Sequence, residues 1–148
     1  FSNCRILVAE DDWVNQEVAL ELLQVTLGFS VDIAPDGLQA IDMALRDHYD
    51  LILMDMQMPE LDGLGATQAI REIPGYENIP IIAMTANAFA EDRARCLDGG
   101  MNDFIAKPVN PDTLFAVMLK WLRIHEAARV QLEQLTSRPV AQSGGSAA

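Results

Sequence analysis

Glu10-Asp11-Asp12, Asp55, Thr85 and Lys107 are the residues of this chain whose types and placement could do chemistry together, because each follows directly on a short apolar run. Carboxylates gathered in one place repel one another at neutral pH unless a cation sits among them. The donors on offer are oxygens, with no His or Cys beside them, and hard oxygen donors suit Mg²⁺, or Mn²⁺, over zinc and copper. Magnesium takes one or two protein carboxylates, keeps several waters and accepts phosphate oxygens. Thr85 adds a hydroxyl and Lys107 an ammonium. Phosphoryl transfer requires that mixture: a cation and donors spread charge over the equatorial oxygens while a nucleophile, here Asp55, attacks in line. Each residue also has a plain structural reading. An acidic triplet suits a helix N-terminus, Thr85 could cap a turn, Lys107 could face solvent and Pro108 could simply end a strand. The chemical reading therefore depends on whether the chain brings them to one place.

Short apolar runs alternate with longer amphipathic stretches, the pattern of parallel strands joined by crossover helices. Strands are expected at Arg5 to Ala9, Ser30 to Ala34, Leu51 to Met54, Pro80 to Met84 and Asp103 to Ala106. Ile6-Leu7-Val8, Leu51-Ile52-Leu53-Met54 and Ile81-Ile82-Ala83-Met84 are apolar at consecutive positions, as strands covered on both faces are. Val14, Val18, Leu22 and Val25 repeat at helical spacing, Leu23 and Leu27 widen the stripe, and Gly28 supplies the stop. Leu38, Ile41, Met43, Ala44 and Leu45 predict a second helix, Leu64 to Glu72 a third, and Glu91 to Leu97 a fourth before Gly99-Gly100. Asn110 caps a fifth helix with Pro111 in its first turn, and Leu114, Val117, Met118, Trp121 and Leu122 form its buried face. This order predicts an α/β fold: a doubly wound, five-stranded parallel sheet in the flavodoxin-like order 2-1-3-4-5, with five helices. Such sheets bind ligands at the carboxyl ends of their strands. Adjacent first and third strands would bring Glu10, Asp11 and Asp55 to one edge, with Thr85 and Lys107 at the same rim.

The chain of 148 residues is the size of one domain. We expect that domain to occupy residues 1–124, with 125–136 prolonging the fifth helix and 137–148, which contains Pro139 and Gly144-Gly145, forming a flexible linker or tail. There are 22 acidic residues against 10 basic ones, a formal net charge of -12. That balance repels nucleic-acid backbones and anionic lipid surfaces, so neither is an expected partner. Cys4 and Cys96 are far apart and in no metal or redox spacing, which suits two idle thiols in a reducing compartment. The apolar runs are too short to span a bilayer and no secretory leader is visible, so a cytoplasmic location is expected. A start at Phe1 rather than Met is expected of a piece of a longer chain, and that parent could itself be membrane-anchored.

Glu10-Asp11, the run Met54-Asp55-Met56-Gln57-Met58-Pro59 followed by Asp62-Gly63, then Met84-Thr85-Ala86 and Lys107-Pro108 together resemble the receiver domains of response regulators in two-component signalling, from about Asn3 to Ile124. The wording Ala83-Met84-Thr85-Ala86-Asn87-Ala88 and the opening Val14-Asn15-Gln16 of the first helix are most similar to receivers fused behind sensor histidine kinases. The resemblance implies that Asp55 accepts a phosphoryl group from a phosphohistidine. It implies that Asp11 and Asp55 bind Mg²⁺ directly, the backbone carbonyl of Gln57 adds a ligand, and Glu10 acts through water. Thr85 and Lys107 would contact the phosphoryl oxygens, and the Lys107–Pro108 peptide is expected to be cis. Phe104 falls on the aromatic switch position that works with Thr85, although a core phenylalanine at a strand end reads equally well. A phosphoryl group brings about −1.5 to −2 charge at neutral pH, enough to bias a loop with two arrangements. Gln57 and Asn87 hold the positions that tune how long the aspartyl phosphate lasts; both are uncharged, and a moderate lifetime is expected.

On this reading the chain assists its own phosphorylation and dephosphorylation, as part of a hybrid histidine kinase or as a stand-alone response regulator. Its partners would be the phosphohistidine domain of a histidine kinase and a histidine phosphotransfer protein. They would dock on the first helix near Val14, Asn15 and Val18 and on the loops around the acidic residues. A Mg²⁺-dependent phosphatase with Asp55 as nucleophile is a second reading, weakened because Gln57 cannot act as the acid such enzymes place two residues on. A third is an interaction module without phosphorylation, disfavoured because every site residue is present. Too little chain follows the fifth helix for a helix-turn-helix reader of DNA.

Overall fold

The apolar runs form the strands, and the amphipathic stretches cross between them. The computed structural model describes residues 4–58, 60–86 and 90–147, and side chains among them outside 90–92, 129 and 136–147. The elements run β1 (Arg5–Ala9), α1 (Trp13–Leu20) continued by a π-helical segment (Glu21–Thr26), β2 (Ser30–Ala34), α2 (Gly37–Arg46), β3 (Leu51–Asp55), α3 (Gly63–Arg71), β4 (Ile81–Thr85), α4 (Ala90–Asp98), β5 (Asp103–Ala106) and α5 (Pro111–Ala147). All strand pairs are parallel, in the order β2-β1-β3-β4-β5. This is the expected doubly wound sheet.

The central strands are buried on both faces, so successive residues feed two separate cores. Leu7, Ile52, Met54, Ile81 and Ala83 pack on the side covered by α2, α3 and α4. Ile6, Val8, Leu51, Leu53, Ile82, Met84 and Ile105 pack on the other side, against Leu23 and against Leu114, Met118 and Leu122 of α5. Each fully buried Ile or Leu contributes roughly 1.5–3 kcal/mol. The sheet is therefore a rigid base for the loops at its carboxyl rim.

The first helix presents a face other than the one its apolar spacing predicts, and the second buries small residues beside its larger apolar ones. In α1 and its π-helical continuation, Val14, Val18 and Val25 are 50%, 47% and 69% exposed, and only Leu23 is fully buried. Rotation of α1 is set at its start, where Asp12 caps Val14 N at 2.9 Å and Gln16 Nε2 donates to Glu10 O at 2.7 Å. That turns Gln16, Ala19 and Leu23 inward and the valine stripe outward. Periodicity identifies a stripe but not the direction it faces. In α2, Leu38 and Leu45 are exposed, while Gly37, Ala40 and Ala44 are buried. Small residues lie inside because neighbouring chain approaches closely: a Cβ on Gly37 would fall 2.3 Å from Leu61 O.

The fifth helix starts as expected, with Asn110 Oδ1 accepting from Asp112 N and Thr113 N at 2.9 and 3.3 Å. Its end differs. It runs on through the stretch from Ser137 that composition marks as a linker, reaching Ala147.

Candidate functional site

Strand alternation sorts the site residues by face. Glu10 follows the parity of Ile6 and Val8, Asp55 that of Leu51 and Leu53, and Lys107 that of Ile105, so these three leave the rim on the α1 and α5 side. Thr85 follows Ile81 and Ala83 and leaves on the opposite side. Phe104 pairs in register with Ala83, and Ala106 with Thr85, so Phe104 shares the face of Thr85.

At the rim, Lys107 Nζ donates to Asp55 Oδ2 at 2.9 Å and to Glu10 Oε1 at 3.1 Å. The other Asp55 oxygen, Oδ1, accepts from Gln57 N at 3.1 Å. Glu10 Oε2 accepts from Asp12 N at 3.3 Å. Glu10 and Asp55 are 2% and 3% exposed, whereas Asp11 is open to solvent. Carboxylate oxygens of Glu10, Asp11 and Asp55 lie within 4.8 Å of one another, beside a cavity of about 220 Å³ that Asn15, Gln57 and Lys107 also line. Thr85, nearly buried, borders the adjoining cleft of about 550 Å³ together with Asp11, Met56 and Gln57. The turn after β3 comes this close to α3 because residue 63 is glycine: a Cβ there would fall 2.4 Å from Asp55 O.

Three carboxylates share one ammonium here, which leaves an excess of negative charge. Burial, followed by a hydrogen bond with Asp55, pushes Glu10 from an ordinary 4.5 up to about 7, against the pull of Lys107. Burial works against the Lys107 charge, but its hydrogen bonds to Asp55 and Glu10 outweigh it and hold the lysine above its usual value. A buried carboxyl that keeps its proton near neutrality although a lysine shared with Asp55 pulls against it is what a further cation would relieve. An all-oxygen donor set of this compactness fits a hard divalent ion.

Glu10, Asp11, Asp55, Gln57 and Lys107 thus meet at one cavity, and Thr85 stands at the neighbouring cleft. Phe104 is half-buried on the far side of the sheet. The Lys107–Pro108 peptide is cis. Asn87 lies outside the described residues. Sequence reasoning gave no role to Gln16, which holds the Glu10 carbonyl, or to Asp12 as a cap. Their spacing from Glu10 was visible, but it has meaning only once the path of α1 is known.

The family model of the response regulator receiver domain matches residues 6–119. Among curated proteins, the chain is 46% identical over 121 residues to hybrid signal transduction histidine kinase I of Dictyostelium discoideum, an alignment that covers 77% of this chain and 7% of the kinase. Hybrid kinase B of the same organism is 39% identical, with 78% of this chain and 6% of that protein covered. The chain therefore spans only a small part of the curated relatives it matches. Among solved structures, the receiver domain of a sensor histidine kinase from Pseudomonas aeruginosa, crystallised with a magnesium ion coordinated in its active site cleft, is 43% identical. It superposes with a TM-score of 0.75, covering 81% of this chain and 98% of that one. Strand order, convergent rim and sequence likeness agree over the same stretch, and the chain belongs to the response regulator receiver domain family of two-component signalling systems.

Proposed function

We propose that Asp55 is the phosphoacceptor of a phosphorelay, charged from a phosphohistidine in a Mg²⁺-dependent reaction, and that the chain is the receiver segment of a hybrid sensor histidine kinase. The observation that carries this reading is the contact of Lys107 with both Asp55 and Glu10 beside the acidic cavity. A nucleophile, a cation site and an ammonium able to receive phosphoryl oxygens thereby share one space. Likeness to hybrid kinases supports the assignment to a larger parent.

In the reaction, an Asp55 oxygen bonds to phosphorus as the phosphorus–nitrogen bond of the donor breaks and its electron pair returns to the imidazole. The Gln57 N–H holds one Asp55 oxygen and so orients the carboxylate. Lys107, already at Asp55 Oδ2, would follow the incoming negative charge onto a phosphoryl oxygen, and the Thr85 hydroxyl would take another. Mg²⁺, when bound, supplies neutralisation of charge on the transferring group. Asp11, Asp55 and the Gln57 carbonyl would hold it directly and Glu10 through water. Phe104 would then respond to the Thr85 side of the rim, passing the state of the site to the surface of α4, β5 and α5.

The exposed valines of α1, Val14 and Val18, stand beside the still more open Trp13 next to the site. They support docking of the kinase phosphohistidine domain and of a histidine phosphotransfer protein on this face. No helix among the described residues is long and apolar enough to cross a membrane; we assign the domain to the cytoplasm on the relay's need for cytoplasmic partners. We place the body of the domain at residues 1–124: among the side chains described, Leu122 is the last buried one of α5, and Ile124, Val130, Leu132 and Leu135 are exposed.

The test is incubation with Mg²⁺ and a small acyl phosphate. The intact chain should gain one phosphoryl group, and Asp55→Asn should gain none. Equal labelling of the two would remove Asp55 from its role.

A further inference from the structure

Phe104 is held from two sides. On β5, its backbone N–H donates to Asp103 Oδ1 at 2.8 Å, and Asp103 Oδ2 accepts from Trp121 Nε1 of α5 at 2.9 Å. Asp103 is also 4.0 Å from Lys120. These contacts fix the backbone and leave the ring free to turn about its side-chain bonds. Over the ring lies Arg93 of α4, its guanidinium carbon 4.6 Å from the ring centroid. A guanidinium within about 6 Å of an aromatic face is attracted by the ring quadrupole. Phenylalanine has no hydroxyl, so hydrogen bonding cannot anchor its ring in either position.

We infer that Arg93 is a positioning residue for the switch: by stacking on Phe104 it favours the ring position seen here and opposes the change that follows charging of Asp55. This rests on the proposed role of Phe104. The contact joins the right elements for such a brake, because Arg93 rides on α4, which packs against β5, while Phe104 shares a sheet face with Thr85. At an exposed site a cation–π contact shifts an equilibrium by a factor of about two to five. A contact of that size leaves the protein folded and tunes how readily the site responds. Among the described residues Arg93 is not one of those lining the cavity around Asp55, so its effect on phosphoryl binding passes through the ring.

The experiment uses the full chain with Mg²⁺ and beryllofluoride as phosphoryl mimic, with Phe104 followed by aromatic NMR on phenylalanine-labelled protein and its signal assigned through Phe104→Leu. Arg93→Ala should move the Phe104 signal of the unliganded protein toward its beryllofluoride-bound position and lower the half-saturating concentration about two- to fivefold. Arg93→Lys, which keeps a cation at the ring, should fall between. A ring that moves on saturation in the parent, with a signal and half-saturation that Arg93→Ala leaves unchanged, overturns the brake alone. A parent ring that stays in place on saturation overturns the switch reading and the brake with it, while leaving Asp55 as acceptor to be judged by labelling.

Discussion

At the amino end of the sheet, Arg5 pairs with Asp32 at 3.0 Å, Tyr49 donates to the same carboxylate at 2.7 Å, and Tyr76 donates to Asp47 O at 2.6 Å. Close by, Arg71 donates to the carbonyls of Tyr76, Ile79 and Gly100 and to Asn102 Oδ1. Its burial lowers its own affinity for a proton, and several oxygens answer the charge. At the carboxyl end the materials are similar, yet three carboxylates meet one lysine and Glu10 keeps its proton up to about 7. The acids of the amino rim are partly exposed and have Arg5, a tyrosine hydroxyl and a backbone N–H as donors, whereas Glu10 and Asp55 of the carboxyl rim are buried and share one lysine. Closed polar networks stabilise a fold, and a rim left short of charge is available to a ligand that supplies it.

Breaking the complete network should have the largest effect on stability. Arg71→Ala leaves three carbonyls short of a donor and removes one of the two donors to Asn102 Oδ1, and should cost about 3 kcal/mol in chemical denaturation, while the fraction that stays folded still labels at Asp55. A cost below about 1 kcal/mol would show that the amino rim is not held by this residue.

The incomplete rim should instead respond to cation. Mg²⁺ at about 100 times its dissociation constant should stabilise the protein by about 2.7 kcal/mol, and a chelator should reverse the gain. In Asp11→Asn most of that gain should vanish, and retention of it would separate Asp11 from the cation site.

The pH dependence sharpens the contrast further. In the native protein Glu10 holds a proton that the unfolded chain releases near 4.5, and it does so up to about 7. Between those values the folded state binds more protons than the unfolded one, so metal-free stability should fall as pH rises through this window and level off above it. Mg²⁺ affinity should rise over the same window, because a proton stands in the way of the cation. Denaturation curves at several pH values would show both trends, and Glu10→Gln should flatten the first.

The smallest expected signal comes from Trp13, which is 71% exposed two residues after Asp11. In a Trp121→Phe background its fluorescence should change modestly when Mg²⁺ or beryllofluoride binds. An unchanged spectrum would place the start of α1 outside the reach of the site.

Strand positions were legible because a doubly covered strand needs apolar residues at every step, and Leu51 to Met54 and Ile81 to Met84 meet that need without help from the rest of the chain. The succession of strands and helices pointed to a doubly wound sheet, and the flavodoxin-like order expected for five such units is the one observed. With it came the meeting of Asp55 and Lys107 at one rim, since ligands of such sheets collect there. The inward face of α1 was not legible: the valine stripe has helical spacing, but the Asp12 cap and the Gln16 contact turn it to solvent. Nor was the helical path of α5 beyond Ser137.

By itself, then, the sequence determined which residues are available and at what spacing, because apolar runs, caps and glycines act over a few neighbouring positions. Tertiary structure alone decided the proton on Glu10, the oxygens around Arg71 and the stacking of Arg93 on Phe104. Those depend on distances between groups remote along the chain, such as Glu10 and Lys107, separated by 97 positions and 3.1 Å apart in the fold. Electrostatic energy varies with distance and burial, and neither exists until the chain has folded.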